Sequence, residues 1–444
     1  MTWPFALPFA GLLLSIALGP LLFAGFWHHH YGKIAAAWAL VTLAALTWQA
    51  GMATALASFV HALLGEYLSF IVLLFALYTV AGGILVTGTI RGTPVTNTAI
   101  LALGTVIASV VGTTGAAMIL VRPLIRANLA RQHNVHVLIF FIILAANVGG
   151  ALSPLGDPPL FVGFLRGVDF FWTTRTIWLQ TAIVAGLLLV VFAAIDAWRY
   201  RAEPAPKDAG RGDPVRIRGL VNVVLIAAIV ASMLISATWK PGIGFDVVGT
   251  HIELQNLLRD ITLVVIAGLS LWLTPDEHRE ANGFNWEPIR EVAKLFAAIF
   301  TAIVPVIAML NAGHDGTFGW LLNAVTTPSG APREVAYFWF TGLMSAFLDN
   351  APTYLLFFEL AGGDPKVLMN DLAGTLAAIS MGAVYMGALT YIGNAPNFMV
   401  AAIANERGIR MPSFFGYTLR AAAILIPLFV LLTVLPIHPL LSPR

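Results

Sequence analysis

The chain has no cysteine among its 444 residues. Disulfides, thiolate metal centres and cysteine nucleophiles are therefore excluded. Charge is also scarce. Asp, Glu, Lys and Arg together make up 10% of the chain, against ~25% in a soluble domain. The formal net charge of +2 is small and the basic residues sit in loops, which gives no support to a nucleic-acid partner. No HExxH, GxSxG or nucleotide-binding loop occurs, and His278-Arg279-Glu280 falls in a polar stretch. An intramembrane enzyme is not indicated, and no cofactor is called for.

Apolar sequence takes up the rest. The chain is 59% hydrophobic with a mean hydropathy of +0.85, and many runs approach the ~20 residues that cross a bilayer. The reading is an all-α polytopic membrane protein in contact with lipid. The first apolar run, residues 5–26, lacks a basic n-region and a small-residue cleavage site, so it reads as a retained helix rather than a signal peptide.

One stretch occurs twice. Gly150-Ala151-Leu152-Ser153-Pro154-Leu155-Gly156-Asp157-Pro158-Pro159-Leu160-Phe161 returns as Gly387-Ala388-Leu389-Thr390-Tyr391-Ile392-Gly393-Asn394-Ala395-Pro396-Asn397-Phe398, at a constant spacing of 237 residues. The constant spacing means that no gap is needed to align the two stretches, and six of the twelve positions are identical. Both copies are apolar helices interrupted by a polar Gly/Pro turn. Such interruptions at matching places in two halves of a membrane protein point to a transporter's binding site.

The same spacing pairs Gly112-Thr113-Thr114 with Asp349-Asn350-Ala351. Around each lie two apolar arms too short to cross alone, which reads as a re-entrant hairpin with a non-helical tip. The expected plan is a first repeat over residues 1–198, with a hairpin at 97–128 and a broken helix at 137–166. A basic linker follows at 199–218. The second repeat covers 219–444, with a hairpin at 335–361 and a broken helix at 371–405. Further spans are expected at 34–49, 68–88, 177–197, 220–236, 261–273, 295–310 and 421–435. Residues 27–33, with His28, His29 and His30, read as a solvated turn, and the hairpin tips as 112–115 and 348–353.

The linker holds Arg201, Lys207, Arg211, Arg216 and Arg218, and basic loops lie in the cytoplasm. Counting outward places both termini on the periplasmic side of a bacterial inner membrane. Each half then has five crossings and one hairpin. An odd number makes the second repeat enter with opposite polarity, an inverted repeat with its site at the midplane.

Four polar breaks converge in this plan: Thr113 and Thr114; Asn147 with Ser153 and Asp157; Asp349, Asn350 and Thr353; and Thr390 with Asn394 and Asn397. Asp157 and Asp349 are the two carboxylates among them, and an ionisable residue at membrane depth is a functional hypothesis by default. The competing structural roles are a helix cap for Asp157 and an Asx turn for Asp349. The asparagines also serve as glue between helices, and the hydroxyls as partners of a preceding carbonyl. Arg122 is the basic residue closest to a tip, where snorkelling, pairing or anion binding are its uses. As a cation site, Asp157, Asp349, Asn350 and Asn394 offer the oxygen ligands that hard ions such as sodium prefer. With two acids and no clearly placed Arg or Lys, the cavity favours exchange of cations for protons.

The tip Asp349-Asn350-Ala351-Pro352-Thr353 and the breaks Ile392-Gly393-Asn394-Ala395-Pro396-Asn397 and Leu155-Gly156-Asp157 resemble the ion transporter superfamily. Within it they are most similar to NhaD-type sodium/proton antiporters and the related citrate-transporter-like (CitMHS-like) proteins. The resemblance covers nearly the whole chain. It implies a homodimer, a scaffold and a transport domain in each protomer, and elevator-like alternating access. By motif position, Asn147, Asp157, Asp349, Asn350 and Thr390 match the antiporters' ion-site positions. The chain departs from that pattern at Pro158-Pro159, where the antiporters carry hydroxyl residues, and at Thr113-Thr114, where they carry an Asp-Asn pair. The alternatives are a sodium-coupled citrate or dicarboxylate symporter, and an anion exporter like the arsenite permeases, which works with a soluble ATPase.

Overall fold

The structure is a computed structural model that describes residues 2–203 and 213–434. The middle of the expected basic linker therefore lies outside the described residues. In lipid the backbone has no hydrogen-bond partner but itself, so long apolar runs close as helices. Among the described residues eight helices are long and apolar enough to cross a membrane, or nine if Glu287–Ala302 and Val304–Leu310, bent by 41°, count as one span. Pro305 accounts for that bend, because it cannot donate to the carbonyl one turn back.

The first half runs Leu7–Leu22, Ala24–Ala50 and a 31-residue span Met52–Gly82, then the hairpin arms Pro94–Val111 and Thr113–Asn128. Next come the pieces of a broken helix, Val135–Leu144, a 3-10 turn Val148–Leu152 and Pro158–Leu165, followed by Trp172–Tyr200. The second half repeats this order: Val221–Thr238, Leu254–Leu273, the bent span, hairpin arms Glu334–Leu348 and Asn350–Leu360, broken helix Ala373–Met386 and Ala395–Glu406, and Phe414–Val434. The remaining sheet is slight. Leu85–Thr87 pairs with Arg216–Arg218, and Gly244–Val247 with Thr250–Glu253.

Packing between the halves is reciprocal. Ala24–Ala50 packs on Glu287–Ala302 of the other half, while Leu254–Leu273 packs on the Leu68–Gly82 part of the first half's long span. Likewise Thr113–Asn128 packs on Ala395–Glu406, and Asn350–Leu360 on Pro158–Leu165. The first three spans of each half thus pair across the halves as one group, and the hairpins and broken helices as another, with Leu68–Gly82 packing on Thr113–Asn128 between the two. The broken helix is central to the second group. Of the residues in Val135–Leu152, 89% are buried by protein, against 22% in the most apolar 18-residue stretch of Ala24–Ala50.

Several sequence expectations are corrected. Residues 27–33 are not a turn but lie inside Ala24–Ala50. Trp27 and Tyr31, one turn apart, are buried against neighbouring helices, and Tyr31 donates to Glu287 at 3.0 Å. That non-local packing outweighs the polarity of His28 and His29, which are exposed. The span expected at 68–88 begins at Met52, passes through a π-helical stretch His61–Tyr67 and ends at Gly82. The end of the linker, Arg216–Arg218, pairs with Leu85–Thr87 as a short strand.

The hairpin tips are also tighter than expected. Each is a single non-helical residue, Gly112 or Asp349, between two helices. Thr113, Thr114 and Asn350 therefore belong to the first turn of the second arm, not to an open loop.

Candidate functional site

The repeat spacing is also visible in the hydrogen bonds. The Ser153 hydroxyl donates to the carbonyl of Ser109, and the Thr390 hydroxyl donates to the carbonyl of Ala346, 237 positions later in both partners. Each hydroxyl also accepts from the amide two residues on, Leu155 or Ile392, at 3.2 Å. Ser153 and Thr390 thus hold the extended backbone of each break against its hairpin. Close backbone approach completes the turn. A Cβ on Gly156 would lie 2.2 Å from the Gly150 carbonyl oxygen, and one on Gly393 would lie 2.5 Å from that of Gly387. Gly156→Ala is therefore expected to cost about 1–3 kcal/mol by overpacking, read as a lower apparent melting temperature. An unchanged melt would show that the break relaxes freely.

At the tips, Gly112 has φ +81° and Asp349 has φ +74°. The symmetric positions share one backbone conformation, but only one carries glycine. Asp349 ψ is 144°, in a region that is essentially reserved for glycine. Its carboxylate accepts from the Ala351 amide at 3.4 Å, and its carbonyl accepts from Thr353 at 2.7 Å. Thr353 is thus a structural partner of the tip backbone.

Asp157 is where the elements meet. It occupies the N-cap position of Pro158–Leu165, yet it makes no capping hydrogen bond. Its carboxylate instead accepts from Thr113 of the first hairpin at 2.9 Å, from Asn350 of the second hairpin at 2.6 Å and from Asn394 of the second break at 2.9 Å. All three donors are neutral, and no Lys, Arg or His lies within ion-pair distance of Asp157 among the described residues. Asp157 is 1% exposed. Behind it Asn394 also donates to Asn147, and Asn147 donates to Asn397 at 2.7 Å. Asn397 in turn donates to the carbonyls of Gly387 and Thr390. Asn147 and Asn397 thus lock the two breaks together. The Oδ1 of Asn350, fully buried, has no partner.

A cavity of about 700 Å³ reaches this cluster, with Thr113, Thr114, Asp157, Asp349 and Asn394 on its wall. Toward its mouth it is bordered by Glu287, Glu291, Glu406, Arg122 and Arg407. The expectation that no Arg or Lys lines the cavity is therefore corrected. The two guanidiniums lie away from the tips, since Arg122 is nine residues along its helix from Thr113, about 13 Å of rise. Toward the mouth, three carboxylates against two guanidiniums leave a small acidic excess, a field that favours cations. Four helix N-termini also point at the cluster, which by itself would favour an anion through free N–H groups. Proline removes many of those groups: Pro158 and Pro159, Pro396 and Pro352 all fall in first turns.

On the opposite face a charge cluster escaped sequence reading. Arg166 pairs with Glu359 at 2.5 Å and with Glu66 at 2.7 Å. Glu66 sits in the π-helical stretch of the long span and Glu359 in the second arm of the second hairpin. Each is an acid inside an apolar element, the signal that marked Asp157, but only the fold brings them to one arginine. A separate recess of about 430 Å³ on that side does not reach Asp157 or Asp349.

Comparison with known proteins points to membrane transport. Residues 1–437 match a family model described as "Putative citrate transport". The chain is 25% identical over 362 residues to an uncharacterized transporter of Mycobacterium bovis, and equally to one of Mycobacterium tuberculosis, with 75% of each chain covered. It is 24% identical over 302 residues to a 46 kDa membrane protein of Mycobacterium leprae, covering 64% of this chain and 62% of that one. These names describe transporters and a membrane protein rather than enzymes. A multi-pass chain with paired hairpins and broken helices around a buried polar cluster, matched over nearly its whole length, is a membrane transporter and belongs to the citrate-transport family that this model describes.

Proposed function

We propose that the protein exchanges sodium or lithium ions for protons across the bacterial inner membrane, with Asp157 as the group that takes either in turn. The observation that carries this reading is the surroundings of Asp157, a buried carboxylate held by three neutral donors with no cationic partner. Such a group is stable in a low dielectric only when neutralised by a proton or a bound cation. Asp349, with Asn350 and Asn394, supplies further oxygens for a hard cation, and Thr113 and Thr114 line the approach. The small acidic excess at the cavity mouth supports the same sign of substrate. In this reading the face with Arg407 is cytoplasmic, both termini are periplasmic, and the hairpin group moves as an elevator against the first three spans of each half. The working assembly is a homodimer.

A second reading, sodium-coupled symport of citrate or a dicarboxylate, is favoured by the name of the matched family and by Arg122 and Arg407 at the cavity mouth. The two are separated with purified protein in liposomes carrying an internal pH dye. Sodium or lithium added outside should move protons without any carboxylate present. If cations alone move no protons while labelled citrate accumulates with sodium, exchange is wrong and symport replaces it.

A further inference from the structure

The carboxylate at the centre of the site sits on a clamped pair of helices. Pro158–Leu165 and Asn350–Leu360 pack along each other. They are tied at one end by Asn350 to Asp157 at 2.6 Å, and at the other by Arg166 to Glu359 at 2.5 Å. Each tie is nine residues from the next along both chains, so the two helices run parallel and in register. Gly163 leaves room for the Tyr354 ring between them, since a Cβ there would lie 2.4 Å from the phenol oxygen. Arg166 also reaches out of the clamp, to Glu66 on the span Met52–Gly82. This ion pair joins the hairpin group to the other group on the face opposite the cavity mouth.

At the repeat spacing of 237 the counterpart of Glu359 is Arg122, and the counterpart of Arg166 is Ile403. Arg122 therefore has no charged partner at the matching place in its own group. Its guanidinium is seated where Gly283 has no side chain: a Cβ there would lie 2.4 Å from Nη2, and Gly283 has φ +57°. Arg122 is 8% exposed, donates to the Gly283 carbonyl at 3.3 Å and leaves Nε unpartnered. Among the described residues no carboxylate lies within 4 Å of it. A buried guanidinium with one long hydrogen bond is under-satisfied.

Three carboxylates border the cavity mouth with it. Glu406 belongs to the same group of helices as Arg122, so closure of the cavity would not bring the two together. Glu287 is engaged by the Tyr31 hydroxyl. Glu291 lies on the facing helix Glu287–Ala302, beside Trp27 and His28 of Ala24–Ala50, and makes no ion pair among the described residues. Counted back from the ends of their spans at Gly82 and Leu310, which the inverted repeat places on opposite faces, Glu66 and Glu291 fall at matching heights to within about one helical turn.

We propose that Arg122 and Glu291 form a latch equivalent to Arg166 and Glu66, made when the cavity on the Arg407 face closes. One latch is then closed in each state: Glu66–Arg166–Glu359 here, and Arg122–Glu291 when the site faces the other side. Opening either leaves a carboxylate without its counter-charge in a poorly solvated place. Closing the other offsets that cost, which disfavours a state open on both faces. This inference rests on the alternating-access reading.

The absence of cysteine makes the test direct. Ala402 borders the cavity, and Ala402→Cys, labelled with a membrane-impermeant maleimide from the Arg407 face of sided vesicles, reports how often that cavity is open. Arg166→Gln should lower the labelling rate several-fold, and so should Glu66→Gln, which cuts the tie to the span but leaves the Arg166–Glu359 clamp intact. Adding Arg122→Gln to either should return the rate toward its starting value. An unchanged rate in Glu66→Gln, or a further fall on adding Arg122→Gln, overturns the proposal. If labelling never responds although the liposome assay shows cation-driven proton movement, the latches are wrong and the exchanger stands. If the unchanged protein moves no protons when cations are added, the exchanger reading falls, while the labelling rates still decide the latches.

Discussion

Asp157→Asn should abolish cation-driven proton movement in liposomes while the protein still folds and elutes as the unchanged species. The change removes the group that binds a proton or cation but keeps its size. It also replaces one accepting oxygen by an NH₂ that would face a donor from Asn350 or Asn394. The conflict can be relieved locally. The Oδ1 of Asn350 has no partner, so a flip of that amide turns an acceptor toward the new NH₂ and restores the pairing. The flip leaves the Asn350 NH₂ where its Oδ1 had no partner, so one buried donor goes unsatisfied and stability should fall by about 1–3 kcal/mol. Asp157→Ala has no such remedy, because Thr113, Asn350 and Asn394 would all lose their acceptor, and it should be clearly less stable. Transport that survives Asp157→Asn would remove Asp157 from the exchange chemistry. Loss of folding in Asp157→Asn would instead make the carboxylate a structural anchor.

Asp349→Gly should make the protein more stable and less active. The backbone of Asp349, at φ +74°, carries a strain of about 1–3 kcal/mol that glycine does not. Losing the cap to the Ala351 amide costs only a few tenths when the replacement is glycine. The net gain should appear as an apparent melting temperature about 1–3 °C higher. Asp349→Ala keeps the Cβ in the strained conformation and loses both cap and carboxylate, so it should melt below the unchanged protein. If Gly and Ala melt together, the tip is not strained. If Asp349→Gly transports normally, its carboxylate is not needed and the strain has no functional return. A strained, non-glycine residue at a tip where the other repeat has glycine is what selection for activity over stability produces.

The two aspartates differ in what holds them, a distinction that tertiary structure supplied. In the sequence both are acids at symmetric breaks, each with a capping role as the ordinary alternative. In the fold Asp349 does cap its own helix, whereas Asp157 turns away from its helix toward three other elements. Seven of the sequence-picked residues bond directly to Asp157 or lock the breaks: Thr113, Asn350, Asn394, Asn147, Asn397, Ser153 and Thr390. Thr353 bonds the tip backbone, and Thr114 borders the cavity.

The amino-acid sequence by itself determined the elements and their repetition. Apolar run length sets the spans, Gly and Pro set the breaks, and the fixed spacing of 237 residues sets which break matches which. Each of these is a local property of the backbone or a comparison of the chain with itself. Only the tertiary structure decided what crosses between elements. It made residues 27–33 helical, because Trp27 and Tyr31 found a buried face. It gathered Glu66, Arg166 and Glu359 from positions far apart, and seated Arg122 against a glycine in the other half. Such pairings depend on how helices stack across hundreds of residues, and side-chain identity along one helix carries no record of its neighbour.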